Sequence, residues 1–415
     1  MTEAPEREAG RPRWWVAGLS LVLLVASGLL AWTLVDDEPY VAPAPAPSSS
    51  GAPSSAGATA AIEELEAAVR AGDEEAARAL APTGDAEAGD RLAGIVANAE
   101  AADVRDFTLR FVDAATDSAG DAAYADATWR FGGFDRGSAH AEVRVGIQPD
   151  GDRVAITGFG GDDRISPLWL SGPLEVRRTD DTLVLVDGPA AEADEFAARA
   201  EAAVPVVRAV LPQWRRGLVV EVPASVDDLD AVLSSDPGTY DQIAAVTTSA
   251  DGSLAPAAPV HVFVNPDLYG RLKPAGAQVV MSHEATHVAA DAWASTMPLW
   301  LLEGFADYVA LRDVDLPLSR SAAQIIAEVE EDGPPRALPG PAEFGTRATG
   351  LGATYESAWL ASRLLAQIGG EDALVRFYRA VDAGTPVEQA LRAEIGLTEA
   401  EFTQRWRTLL SDLAS

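Results

Sequence analysis

Apolar residues recur at different periods along this chain. Residues 61–115 favour helices, because Ile62, Leu65 and Val69 lie three to four positions apart. From about residue 107 the pattern changes to alternation, which is typical of strands with one buried face. The alternating segments are 107–111, 127–131, 141–147, 174–177 and 183–186. The pattern predicts an α+β fold, with helices followed by a curved antiparallel sheet over residues 61–188.

The second half of the chain predicts another α+β domain, over residues 190–415. Short apolar runs at 218–222, 243–247 and 260–264 indicate strands, and helical spacing precedes and separates them at 192–211 and 226–233. An apolar, helix-compatible run follows at 279–290. The remaining segments have helical periods, at 322–331, 355–368, 371–381, 387–394 and 399–413. We therefore expect a mixed sheet followed by a mostly helical C-terminal part.

The N-terminal segment predicts a membrane anchor. Residues 14–35 carry no charge and are long enough to cross a bilayer as a helix. Arginines precede this run and acidic residues follow it, which predicts a cytoplasmic tail at 1–13 and an extracellular location for the rest. A cleaved signal peptide is the alternative, but its apolar core is usually about 7–15 residues. Residues 36–60 are rich in Pro, Ala and Ser and predict a linker.

Composition excludes some partners and ligands. The chain has 64 acidic and 31 basic residues, for a net charge of −33. So large an excess repels nucleic acid and anionic lipid headgroups, so we expect no nucleic-acid partner. A preference for cationic substrates is compatible with this charge, although a generally acidic surface is the simpler interpretation. With no cysteine, the chain has neither disulfides nor thiolate ligands.

The motif that organises the chain is His283-Glu284-Ala285-Thr286-His287. Two histidines four positions apart on a helix share one face, and both can reach one tetrahedral Zn²⁺. Glu284 projects in a different direction, where it can take a proton from a water at the metal. The chain has only 4 histidines, so a chance match to this pattern is rare.

A second segment offers the remaining metal ligand. Residues 298–308 indicate a turn and a helix that carries Glu303 and, one turn later, Asp307. Glu303 is the natural third ligand of a His₂Glu site, and Asp307 can accept the free ring N–H of a ligating histidine. A third histidine in the metzincin pattern is absent, because residue 293 is Trp.

H-E-x-x-H followed by W-L-x-E-G-x-A-D resembles the gluzincin metallopeptidases. The resemblance implies a zincin fold over 190–415, a zinc ion bound by His283, His287 and Glu303, Glu284 as general base, and a peptide or protein substrate. It also implies that Asp307 supports the zinc ligands and that Tyr355 donates to the oxyanion. The gap from His287 to Glu303 is shorter than in M1 aminopeptidases and no G-A-M-E-N-like motif is present, so aminopeptidase activity does not carry over.

Other interpretations of the sequence stay open. Residues 61–188 are similar to NTF2-like domains in element order alone, and a cavity there could make the domain a ligand sensor. A catalytically silent zincin-fold binding or assembly factor, tethered to the membrane, is the alternative function. Residues 260–264 are expected to form the strand along the cleft, with His261 as an edge-strand side chain. His140 has no metal-ligand spacing and is expected to be solvated or hydrogen-bonded, and Tyr355 could equally be packing in the helix bundle.

Overall fold

The computed structural model of the chain describes residues 54–117, 120–161, 164–345 and 348–415. The predicted cytoplasmic tail and transmembrane helix lie outside these residues, as does most of the predicted linker. Among the helices of the described ranges, none has the length and apolar character that a membrane crossing requires.

Three helices form the first layer of the fold: α1 (Ser55–Ala71), α2 (Glu74–Arg78) and α3 (Ala86–Ala101). The Ser54 side chain caps α1 by accepting from Gly57 N, and the helix ends at Gly72 in the left-handed region. The prediction that the linker extends to residue 60 is therefore wrong from Ser55 onward. Ala58, inside the predicted linker, is fully buried because it lies on the core face of α1.

The first sheet is a four-stranded antiparallel meander in the order β1-β2-β3-β4. Its strands are β1 (Val104–Asp117), β2 (Gly120–Phe131), β3 (Ala139–Asp150) and β4 (Arg153–Phe159). Alternate residues of β2 are buried, including Ala127, Trp129 and Phe131. The order of helices followed by antiparallel strands is as predicted, although β1 begins three residues before the predicted change of pattern at 107.

The second sheet is mixed and has the order β5-β6-β7-β9-β8. Its strands are β5 (Glu175–Arg178), β6 (Thr182–Val186), β7 (Leu218–Val222), β8 (Ala245–Ser249) and β9 (Val260–Val264). β6, β7 and β9 are parallel, whereas β5 and β8 pair antiparallel at the two edges. Two helices lie between these strands: α4 (Ala190–Val210) and α5 (Val226–Val232).

Two expectations about these strands are wrong. Residues 174–177 and 183–186 were expected to continue the first sheet, but β5 and β6 belong to the second. Alternation shows only that a strand has one buried face, and it does not identify the neighbouring strand. Residues 260–264 were expected to lie along the cleft at an edge, but β9 lies between β7 and β8. The edge strand next to β9 is β8, although β8 precedes β9 in the chain.

The rest of the chain is helical, as predicted. Its helices are α6 (Pro266–Tyr269), α7 (Pro274–Ala289), α8 (Leu299–Leu311), α9 (Leu318–Ser321), α10 (Ala323–Asp332), α11 (Leu351–Gly369), α12 (Glu371–Asp382), α13 (Val387–Ala390) and α14 (Glu399–Leu413). Short 3₁₀ segments occur at Leu168–Leu170 and Ala292–Ala294, and a π-helical turn at Leu391–Ile395.

The second sheet separates two apolar cores. On one face, Val220 and Val262 pack with α4, α7 and α8, in a core that also includes Trp359 and Trp406. On the other face, Val219 and Phe263 join the core formed by α1 to α3 and the first sheet. Because strand side chains alternate between faces, adjacent residues of β7 and β9 contribute to different cores.

Candidate metal centre

Helices α7 and α8 carry the predicted metal ligands. His283 and His287 lie one turn apart on α7, and Glu303 lies in the second turn of α8. A Cβ at Gly304 would overlap the carbonyl of Ala358 on α11. The glycine after Glu303 therefore allows α8 and α11 to approach closely.

Three ligand atoms from these helices converge. Nε2 of His283 lies 3.0 Å from Nε2 of His287 and 3.2 Å from Oε2 of Glu303. Nε2 of His287 lies 3.5 Å from the same Glu303 oxygen. A tetrahedron with metal–ligand distances of about 2.0–2.1 Å has edges of roughly 3.3 Å. Within the described ranges, this is the one His/Asp/Glu cluster of at least three residues whose atoms could share a metal ion.

Asp307 orients the first histidine. Its Oδ1 lies 2.7 Å from Nδ1 of His283, so that ring nitrogen donates to the carboxylate and Nε2 can present its lone pair to a metal. Burial alone would lower the pKa of His283, but Asp307 and Glu303 raise it well above its usual value. A metal binds only the neutral ring, so these carboxylates make metal affinity depend on pH.

The pKa of Glu303, the predicted carboxylate ligand, is shifted in the opposite direction. Burial would raise the pKa of Glu303, but His287 and His283 hold it far below the usual range. Glu303 is therefore ionised at neutral pH, as a zinc ligand must be.

Glu284 lies beside the cluster but turns toward the second sheet. Its Oε2 accepts a hydrogen bond of 2.7 Å from the Thr247 hydroxyl on β8, which also lies 3.1 Å from the Glu284 main-chain oxygen. Burial raises the pKa of Glu284, an effect that His283 and His287 oppose. A raised pKa suits a carboxylate that must accept and release a proton near neutral pH.

Tyr355 borders the same cleft from α11. Its ring centroid lies 6.4 Å from that of His283, and Phe344 packs edge-on against it at 5.3 Å. Burial raises the pKa of Tyr355 above its usual range. The phenol therefore stays protonated at neutral pH and is available as a hydrogen-bond donor.

The cleft between β8, α7, α8 and α11 has a volume of about 510 Å³. Its walls include all six predicted site residues: His283, Glu284, His287, Glu303, Asp307 and Tyr355. The other described wall residues are uncharged, among them Ile243, Val280, Leu302 and Leu351. The six titratable side chains are thus surrounded by a wall that is mostly apolar.

The two histidines outside the motif have different environments. Nδ1 of His140, on an exposed part of β3, lies 3.0 Å from the Thr128 hydroxyl, which confirms the expected hydrogen-bonded side chain. The expectation for His261 is wrong, because β9 is an interior strand and this histidine is 0% exposed. Its ring nitrogens lie 2.6 Å from Glu221 Oε1 and 3.0 Å from Asp135 Oδ1.

Thr247 is the site residue that the sequence analysis missed. It lies in a segment that was expected to be a strand, but nothing in the sequence placed that strand beside the H-E-x-x-H helix. The alternation of side chains along β8 was the one signal for Thr247, because Ala245 and Thr247 must point to the same side of the sheet.

Neither a scan against models of known protein families nor a search of curated proteins finds a match for this chain.

Proposed function

We propose that this chain is a zinc-dependent peptidase in which His283, His287 and Glu303 hold the metal. The observation that carries the proposal is the convergence of three ligand atoms at separations of 3.0, 3.2 and 3.5 Å. These separations are close to the edge of a zinc tetrahedron, and three protein ligands leave a fourth position for water or substrate. Zinc is favoured over hard cations because two of the ligands are imidazoles.

Zinc in such a site lowers the pKa of water from 15.7 to about 7 and polarises a carbonyl group. The side chains around it have separate roles. Asp307 holds the His283 ring so that Nε2 faces the other two ligands. Glu284 takes a proton from the attacking water and delivers it to the leaving amine. Tyr355 donates to the carbonyl oxygen as negative charge develops there.

Substrate binding is proposed along β8. This strand is at the edge of its sheet, and Ala245, Val246 and Thr247 line the cleft. The outer side of an edge strand presents unpaired main-chain groups, which an extended peptide can pair with as an added strand. The peptide backbone would then lie between β8 and the metal ligands on α7. Tethering to a membrane through residues 14–35, with the peptidase outside the cell, remains part of the proposal.

The decisive experiment uses the full-length protein and a mixed peptide library. We expect the zinc-loaded wild type to cleave peptides and a chelator to abolish cleavage. Glu284→Gln should reduce turnover by about 10²–10⁴-fold, since general acid–base catalysis contributes about this much, while bound zinc measured by atomic absorption stays at one ion. Glu331→Gln, an exposed position on α10, serves as the matched control.

Two outcomes would contradict the proposal. Cleavage by Glu284→Gln at the wild-type rate would remove Glu284 from its role as base. Stoichiometric zinc with no cleavage of any library peptide would favour the catalytically silent binding factor instead.

A further inference from the structure

A second cavity lies where the cleft ends. It has a volume of about 400 Å³, and we call it the arginine pocket; its walls include Arg215, Arg216, Arg379, Trp214, Phe134 and Trp293. One wall of the metal cleft, α7, continues into it. Residues 288–291, which directly follow His287, line the pocket, and so does Val260, the partner of the last β8 residue. Trp293 borders both cavities.

Four arginines line the arginine pocket, and three of them, Arg215, Arg216 and Arg379, have no ion-pair partner among the described residues, whereas Arg136 pairs with Asp291. Among the described residues, no carboxylate oxygen lies within 4.0 Å of the guanidinium groups of Arg215, Arg216 or Arg379. Each of the three aspartates in the wall has a hydrogen-bond or ion-pair partner, although the partner of Asp382 is an uncharged hydroxyl. Asp135 accepts from His261, Asp291 pairs with Arg136, and Asp382 accepts from Ser295. The pocket walls carry four arginines and three aspartates, a small positive excess in a chain with 64 acidic and 31 basic residues.

A structural role explains only part of this arrangement. Arg379 lies in the last turn of α12, where a cation is favoured by the partial negative charge of the helix C-terminus. Arg215 and Arg216 lie in the loop between α4 and β7 instead, and three aromatic residues of the pocket wall, Phe134, Trp214 and Tyr378, are buried. Arg215 and Arg379 are exposed and Arg216 is half-buried, so their guanidinium groups are accessible to a ligand.

We propose that the arginine pocket binds the carboxylate of an acidic side chain in the peptide substrate. Guanidinium groups bind carboxylates through paired N–H donors, which favours Asp and Glu over their amides. The proposal rests on the proposed peptidase function and adds a substrate preference to it. Residues 288–291 extend about 6 Å beyond His287 at the helical rise, which equals about two residues of an extended peptide at roughly 3.3 Å per residue. The acidic residue would therefore lie two or more positions from the scissile bond.

The test compares matched peptides. A peptide cleaved by the wild-type, zinc-loaded protein is resynthesised with Asp or Asn at each of the second to fifth positions on either side of the scissile bond. At an ionic strength of about 0.15 M the screening length is about 8 Å, so distant charges contribute little. We expect Asp to raise kcat/KM about tenfold over Asn, through KM, on one side of the bond only. Equal values for every Asp and Asn pair would overturn the proposal.

Variants assign the preference to the pocket. The double variant Arg215→Gln/Arg216→Gln, and Arg379→Gln, should reduce the Asp-to-Asn ratio to near one. Arg405→Gln on α14 is the control, since Arg405 also has no ion pair in the described residues but does not line the pocket; it should keep the full ratio. A lower Tm with an unchanged ratio would mean that the pocket arginines act only in folding, which overturns the proposal.

A binding measurement separates this proposal from the peptidase function. Calorimetry with Glu284→Gln compares ten-residue alanine-based peptides that carry one Asp or one Asn. Tighter binding of the Asp peptide, with the difference lost in the arginine double variant, supports the proposed role of the pocket. This result would hold even if no library peptide is cleaved, and then only the proposed peptidase function fails. Equal affinities would overturn the pocket while cleavage by the wild type leaves the peptidase function in place.

Discussion

Two histidine–carboxylate clusters lie on the two sides of the second sheet, and they differ in the groups that their ring nitrogens face. His261, Glu221 and Asp135 lie on the side of the first sheet, where the histidine is 0% exposed and both its nitrogens face carboxylates. Both nitrogens must therefore carry hydrogens, and no lone pair remains for a metal. At the other cluster, Nε2 of His283 faces Nε2 of His287 at 3.0 Å, and the residues line an open cleft.

The difference shows that buried histidines with carboxylate partners do not by themselves make a metal site. A metal site needs lone pairs that converge on one point and a route for the ion and water. The His261 cluster has neither converging lone pairs nor such a route. It joins two parts of the fold instead. Asp135 follows β2 of the first sheet, whereas Glu221 and His261 belong to the second, and Phe131 stacks on the imidazole at 5.3 Å. We interpret it as a charged contact that holds the two sheets together.

The largest effect should come from breaking that contact. His261→Gln cannot carry a charge and leaves two buried carboxylates without their cation. Removing one partner of a buried ion pair costs about 3–5 kcal/mol, so urea unfolding should show a loss of this size with zinc stoichiometry unchanged. His140→Gln, at an exposed position, should change the free energy of unfolding by less than about 0.5 kcal/mol. A loss below about 1 kcal/mol for His261→Gln would contradict the charged contact.

The next largest effect is expected at the cluster of His283, His287 and Glu303, if it holds zinc as proposed. Asp307→Ala removes the acceptor for Nδ1 of His283, so the ring loses its fixed orientation. Losing such a partner typically lowers metal affinity about 10–100-fold, which competition with a chelator would measure. Asp313→Ala is the control, because Asp313 is exposed and pairs only with Arg312 beyond the end of α8. Unchanged zinc affinity in Asp307→Ala would show that Asp307 does not support the metal ligands.

The charged state of His261 also predicts a pH dependence. Burial alone would lower its pKa, but Asp135 and Glu221 raise it to about 10. A group whose pKa is raised on folding stabilises fully below its unfolded pKa, about 6.5, and this contribution is lost as the pH rises through 10. Between pH 7 and 9 the free energy of unfolding should fall by about 1.4 kcal/mol per pH unit more in the wild type than in His261→Gln. Parallel pH profiles for the two proteins would mean that His261 is neutral in the folded state.

The two clusters also show what a sequence can reveal. The nearness of His283 and His287 was predicted because their spacing is local: one helical turn separates them. Glu303 lies on the next long helix, so the helical period does not bring it to the histidines, and its place beside them was expected from the motif pattern. His261 has its partners 40 and 126 residues away. No periodicity connects residues so distant, and the sequence therefore indicated only a strand histidine.

The strand errors have the same origin. Strands β7, β8 and β9 were predicted nearly where they occur, because each is a short apolar run. Their order in the sheet depends on crossover connections, and β9 suggested itself wrongly as the strand beside the cleft because it is the last strand before the H-E-x-x-H helix. Thr247 was missed for this reason, since its role follows from the position of β8 at the edge and not from any motif.

The smallest predicted effect concerns the hydrogen bond between Thr247 on β8 and Glu284 on α7. Thr247→Val keeps the shape of the side chain but removes the hydroxyl that lies 2.7 Å from Glu284 Oε2. A hydrogen bond of this kind contributes about 1 kcal/mol, or roughly a fivefold change in rate. If Thr247 holds Glu284 in position for proton transfer, kcat falls about fivefold while KM and zinc affinity stay the same, and Thr247→Ser restores most of the rate. An equal loss in Thr247→Ser would show that the methyl group matters and the hydroxyl does not, because serine retains the donor and lacks only the methyl contacts.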